Sequence, residues 1–131
     1  MSDESDILAA NQKLLNSIMQ GDWKTYTELC DPSITAFEPE ALGQRVEGLP
    51  FHKFYFDLGG GAAPQQPPQV TMCAPHVRVI GNAAVLTYIR LTQVVGANGP
   101  VSSSAEETRV WEKKGNGWKH VHFHRTPIAK G

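Results

Sequence analysis

The chain has 131 residues, a formal net charge of -1 and a hydrophobic fraction of 40%. That composition suits one soluble globular domain and excludes a disordered chain. The near-neutral charge excludes a global field that would recruit nucleic acid or an anionic membrane, so any charge-based function must come from local clustering.

The N-terminal MSDESD is acidic and lacks the basic flank and apolar run of a secretory signal. Residues 5 to 20 then read as an amphipathic helix, with Ile7, Leu8, Leu14, Leu15, Ile18 and Met19 on one face. Ser2 or Ser5 is the candidate cap and Gly21 the stop. Asp22 can cap a second helix with the stripe Trp23, Tyr26, Leu29 and Cys30, ended by Asp31-Pro32. SITAFEPEALGQRVEG, broken by Pro39 and Gly43, predicts two small extended pieces. LPFHKFYFDL predicts a third helix with Pro50 at its first position and an apolar face of Phe51, Phe54, Tyr55 and Leu58.

GGGAAPQQPPQ, residues 59 to 69, predicts a flexible loop, since glycine and proline dominate it. Residues 70 to 80 alternate, but the phase slips at Pro75, which predicts a β-bulge there. Residues 83 to 95, 103 to 114 and 117 to 126 read as three longer strands, with GANG and GNG as turns between them. Helices first and an antiparallel meander after them argue for an α+β fold, with the helices packed on one face of a curved sheet. Cys30 and Cys73 form no CxxC pair and read as reduced thiols of a cytoplasmic protein. No apolar stretch is long enough to span a bilayer.

Two sets of residues could carry chemistry. In a regular strand His120, His122 and His124 share one face with Trp118, while Lys119, Val121, Phe123 and Arg125 share the other. Three imidazoles at alternate positions span about 13 Å, too far for one ion, so no metal site is expected. The second set is Arg90, Arg109 and Arg125, one on each long strand, each in phase with large apolar groups. A buried guanidinium needs an anion. That anion is either a protein carboxylate such as Glu107 or Glu38, in a structural network, or a bound carboxylate or phosphate in a pocket. There is no GxSxG elbow, no phosphate-binding lysine motif and no cofactor fingerprint, so neither a nucleophile system nor a cofactor is expected.

The strings TELCDPSITAFEPEALGQRVEGLPFHKFYFDL, YIRLTQ and EETRVWEKKGNGWKHVHFHR resemble the association (hub) domain of calcium/calmodulin-dependent protein kinase type II. The resemblance runs from about Ile7 to Arg125 and rests on specific strings such as FEPEALG, VEGLPFH and SSAEETRVW. It implies a single domain over residues 1–131, folded as a nuclear-transport-factor-2-like cone in which a strongly curved antiparallel sheet wraps the long N-terminal helix. It implies no catalysis and a partner of its own kind, with subunits gathered into two stacked rings, a dodecamer, tetradecamer or larger. It also implies a cavity lined by arginines, where Arg90, Arg109, Arg125 and, at the rim, His52 match; on charge balance, with Glu107 offsetting one guanidinium group, that cavity is expected to accept a small carboxylate.

The chain departs from the family pattern in three places. Beyond FYF the family continues ENLW, with a tryptophan near the pocket, where this chain has DLGGGAAP. His120 stands at a position the family usually fills with an apolar residue. Kinase and calmodulin-binding segments are not among these residues, which suits either an excised domain or a free-standing hub. A small-molecule isomerase or dehydratase on the same cone is the competing reading, because fold alone does not decide function.

Overall fold

The computed structural model describes residues 2–58 and 68–129. Helix α1 runs Asp3–Gln20. Ser2 starts it: its backbone is extended, and its hydroxyl accepts a hydrogen bond from the Ser5 N–H at 3.2 Å. Asp3, Glu4 and Asp6 in the first turn complement the positive end of the helix dipole. Gly21 closes it in the left-handed region at φ 68°, where a side chain would be strained.

Helix α2, Trp23–Leu29, is capped by Asp22, whose carboxylate accepts from the Thr25 N–H at 3.1 Å and the Thr25 hydroxyl at 2.6 Å. It stops before Asp31-Pro32, because Cys30 is already extended and paired with the last strand. Strand β1, Cys30–Phe37, leads through one 3-10 turn, Pro39–Ala41, to the two-residue strand β2, Val46–Glu47. Helix α3, Pro50–Leu58, starts on its proline as expected. The loop expectation for 59 to 69 lies outside the described residues except at Pro68 and Gln69. Four strands complete the chain: β3 Gln69–Ile80, β4 Ala83–Gly96, β5 Gly99–Lys114 and β6 Gly117–Pro127.

The strands form one open sheet in the order β2-β1-β6-β5-β4-β3. Only β1 and β6 run parallel; the other neighbours are antiparallel. Ile7, Leu14 and Leu15 of α1 are fully buried in a cluster with Ala84 and Leu86 of β4, Trp111 of β5 and Phe123 of β6. Burying each large aliphatic side chain there contributes about 2 kcal/mol.

Two bulges set which side chains face that core. The β3 register shifts between Cys73 and His76, with Ala74 at φ 50°, as the phase slip predicts. A second bulge in β6 was not legible in the pattern. Trp111 lies opposite His120 and Val110 opposite His122, so Val121 has no partner. One extra residue flips the strand's phase. The three imidazoles therefore do not share a face. His120 is fully buried on the inner side with Phe123, and Trp118 packs against the core. His122 and His124 lie together against Phe37, their rings 5.9 and 5.7 Å from it.

Leu14→Ala should destabilise the fold by about 2–5 kcal/mol, the range for a truncated core leucine. Guanidinium unfolding of the two proteins at matched concentration measures it.

Candidate functional site

Arg90, Arg109 and Arg125 come from three adjacent strands. In the register, Tyr88 faces Glu107, which faces Arg125, while Leu86 faces Arg109, which faces Phe123. Arg90 lies one inward position further along β4, opposite Ala105. All three reach a pocket of about 220 Å³. Its polar lining is Arg90, Arg109, Arg125, His52, Glu38 and Glu40, and aromatic rings from α2, α3 and β6 close the rest.

The floor is organised by Glu107, whose side chain is completely buried. Arg109 donates to its Oε1 from Nη2 at 3.1 Å and from Nε at 3.2 Å, and Arg90 Nη1 donates to its Oε2 at 2.9 Å. The Tyr88 hydroxyl also donates to it. Burial pushes the Glu107 carboxyl up, but the charges of Arg109 and Arg90 and the hydrogen bonds outweigh it, so its pKa is lowered. Burial also opposes the charge on Arg109, yet Glu107 holds its pKa above the ordinary value. The Arg109 guanidinium carbon stacks 4.4 Å from the Phe123 ring centre. Asn11 ties α1 to this network, donating to the Tyr88 hydroxyl at 3.1 Å and accepting from Trp111 Nε1 at 3.1 Å.

Nearer the opening, Arg125 pairs with Glu40, from the 3-10 turn, and Glu38 accepts from His52 Nε2 at 2.8 Å. His52 is not at the rim. It is buried among Tyr26, Phe51 and Phe123, and its Nδ1 has no partner among the described residues. The charge account also differs from the expectation that Glu107 offsets one arginine and leaves the remaining positive charge for a ligand. Three guanidinium groups face three carboxylates, Glu107, Glu40 and Glu38, and the first two of these pair directly with arginine.

Behind Arg109 lies a cluster that strand periodicity had placed on the other face. Arg109 Nη1 lies 3.4 Å from His120 Nε2, and His120 Nδ1 lies 3.6 Å from Cys30 Sγ. Guanidinium nitrogens only donate, so Nε2 is the acceptor and the ring proton sits on Nδ1, facing sulfur. Burial, and then the charge of Arg109, hold the His120 pKa well below its ordinary value. Burial pushes the Cys30 thiol up to about 12, so it is no nucleophile at neutral pH. Among the described residues no group of three or more His, Cys, Asp or Glu side chains is placed to hold a metal ion.

A long helix laid against an open, mostly antiparallel six-stranded sheet, with a pocket walled by both, defines an α+β protein of the nuclear-transport-factor-2-like class. An NTF2-like protein from Cytophaga hutchinsonii matches it with a TM-score of 0.79 at 19% identity, covering 98% of this chain and 100% of that one, a likeness of fold alone. Sequence is more specific. Residues 3–129 match the calcium/calmodulin dependent protein kinase II association domain, and the chain belongs to that family. The hub homology domain from Chlamydomonas reinhardtii is 52% identical with a TM-score of 0.89, covering 98% of this chain and 100% of that one. The type II alpha chain of Drosophila melanogaster is 46% identical over 129 residues, 95% of this chain and 24% of its own length. The chain thus spans about a quarter of the length of the curated relatives it matches. The matched residues are an association domain, which is not a catalytic module, and none of them belongs to a kinase domain.

The depressed His120 pKa has a sign that can be checked. Above its unfolded value of about 6.5 the ring is neutral folded or unfolded. Below it only the unfolded chain takes up the proton, so stability falls with pH, by up to about 1.4 kcal/mol per pH unit for one group. His122, lowered by burial and then by His124, acts in the same direction. Unfolding midpoints between pH 7.5 and 5 should drop in the wild type and drop less in His120→Leu.

Proposed function

We propose that residues 1–131 act as one association domain that joins copies of itself into two stacked rings, a dodecamer, tetradecamer or larger, and so gathers the subunits it is fused to. The family match over residues 3–129 carries this reading. The surface supports it, although Trp118 and His120 turn inward. Exposed apolar side chains include Ile80, Ile89, Val95 and Val101 along β3, β4 and β5, besides Leu42 after the 3-10 turn and Phe54 and Leu58 of α3. Apolar groups strung along sheet strands suit burial against another copy. Light scattering coupled to size exclusion should give a mass many times the 14.4 kDa of one chain. A monomer at micromolar concentration would sink the reading.

The pocket, on the same proposal, takes a small carboxylate or a carboxylate-bearing peptide side chain through Arg90, Arg109 and Arg125, with His52 in its wall. Arg109 is committed to Glu107 and sets the local positive potential. Arg90 uses only Nη1 toward Glu107, and Arg125 is held from the turn alone, so these two have donors to offer. Arg125→Ala should weaken binding by about 1.5–3 kcal/mol while leaving the assembly intact. Titration calorimetry with small dicarboxylates and hydroxy acids checks it; no heat and no thermal stabilisation at millimolar concentration would leave a structural Arg–Glu network.

The competing reading, an isomerase or dehydratase, needs a general base in the cavity. Glu107 is the most deeply buried carboxylate, and it fails on chemistry: it accepts from Tyr88, Arg90 and Arg109 at once, and its pKa is lowered, while Glu38, the other buried one, is engaged by His52. A saturated, weakly basic carboxylate suits anchoring. No metal or cofactor is assigned a role. The net charge favours neither nucleic acid nor a membrane surface, and no helix of the described residues is long and apolar enough to cross a bilayer. A cytoplasmic location follows the two unpaired cysteines.

A further inference from the structure

We propose that Glu40 is a built-in competitor for the pocket's anion position: its carboxylate occupies Arg125 until an external carboxylate displaces it. This rests on the reading of the pocket as a carboxylate site and adds a control on it.

The three arginines differ in how firmly they are held. Arg109 has both its hydrogen-bonding edges engaged inside the fold, by Glu107, Tyr88 and His120. Arg90 is held to the same Glu107. Arg125 alone is held by a surface element. Both oxygens of Glu40 lie on its Nη2, the Oε2 contact at 2.6 Å. The Arg125 side chain is 18% exposed and that of Glu40 is 39% exposed. A pair this open contributes little to stability and exchanges readily.

The turn that carries Glu40 suits such exchange. It is a single 3-10 turn, Pro39–Ala41, ended by Leu42 in the left-handed region at φ 53°. A non-glycine residue there is disfavoured, so the turn is not at its own conformational optimum. Glu38, two residues earlier, is anchored inward on His52, so the chain is pinned on one side and Glu40 hangs over the opening.

The electrostatics show what Glu40 replaces. Burial raises its carboxyl pKa, but the Arg125 hydrogen bond, with the charges of Arg125 and Arg90, brings the net value below the ordinary one. Arg90 in turn feels the charge of Arg125. Both guanidinium groups line the same pocket, and the Glu40 carboxylate sits on Arg125 within it. A small external carboxylate presents the same group to the same donors. It competes with a tethered carboxylate whose effective concentration is on the order of millimolar. The apparent affinity is the intrinsic one reduced by the fraction of protein in which Arg125 is open.

The experiment is calorimetric titration of succinate into the assembled wild type, Glu40→Gln, Arg125→Ala and the double variant, with Glu47→Gln as a distant exposed-carboxylate control. Glu40→Gln should bind succinate about fivefold tighter than wild type, as release of an exposed pair allows. Glu47→Gln should match wild type, and in the Arg125→Ala background Glu40→Gln should change nothing. Glu40→Ala provides a second check should the glutamine re-form the contact. If wild type binds and both Glu40 variants bind equally or more weakly, the competitor role is wrong while the pocket stands. A gain that persists without Arg125 would also overturn it, since it would reflect general charge removal. If neither wild type nor the Glu40 variants bind, the pocket reading and this inference fall together.

Discussion

The buried carboxylate of Glu107 is the contact on which the interior depends. Arg109 is almost wholly removed from water, and an unpaired charge there would cost several kcal/mol. Glu107 answers that charge from two positions away on the same inner face of β5, and it also takes Arg90 from β4. Tyr88 joins the carboxylate to Asn11 and so to α1, while Trp111 closes the loop on the same asparagine. One ionised side chain thereby ties two strands and the long helix together. Apolar packing alone would hold helix and sheet with less control over their relative position.

The same arrangement separates a rigid floor from an adjustable mouth. At the floor, Arg109 and Arg90 share the buried Glu107 carboxylate in low dielectric. At the mouth, Arg125 meets Glu40 of the short turn, and both side chains are partly exposed. The domain can thus carry positive groups in its centre without either unfolding or becoming catalytic. Of its pocket carboxylates, Glu107 and Glu40 are held by guanidinium groups and Glu38 by His52, and the buried cysteine–histidine contact is kept neutral by burial. These are properties of a scaffold.

Much of this was legible along the chain. The caps Gly21 and Asp22, the proline start of α3 and the bulge near Pro75 all act through neighbours a few residues away, and each appears as read, while of the two candidate caps Ser2 and Ser5 the structure takes Ser2. The phase of Arg90 with Tyr88, and of Arg109 with Glu107, needed only regular strand geometry. Where the strand was irregular the reading failed. The extra residue at Val121 leaves no composition signal, because Val121 is itself a good strand residue, and so His120 was assigned to the wrong face. Its place opposite Trp111 is set by how β6 must bend to meet β5 and β1 together.

The sequence by itself therefore determined the element order, the α+β class, the family and the identity of the arginines that meet, because these rest on local propensity, on period and on strings of residues. Only the tertiary structure decided which carboxylate answers which arginine. Glu40 reaches Arg125 across 85 positions, and Cys30 reaches His120 across 90. The first depends on where the turn after β1 falls over the end of β6, the second on how β1 pairs with β6. Whether a buried charge is neutralised from within or left for a ligand is set by such distances in space, and a one-dimensional pattern carries no measure of them.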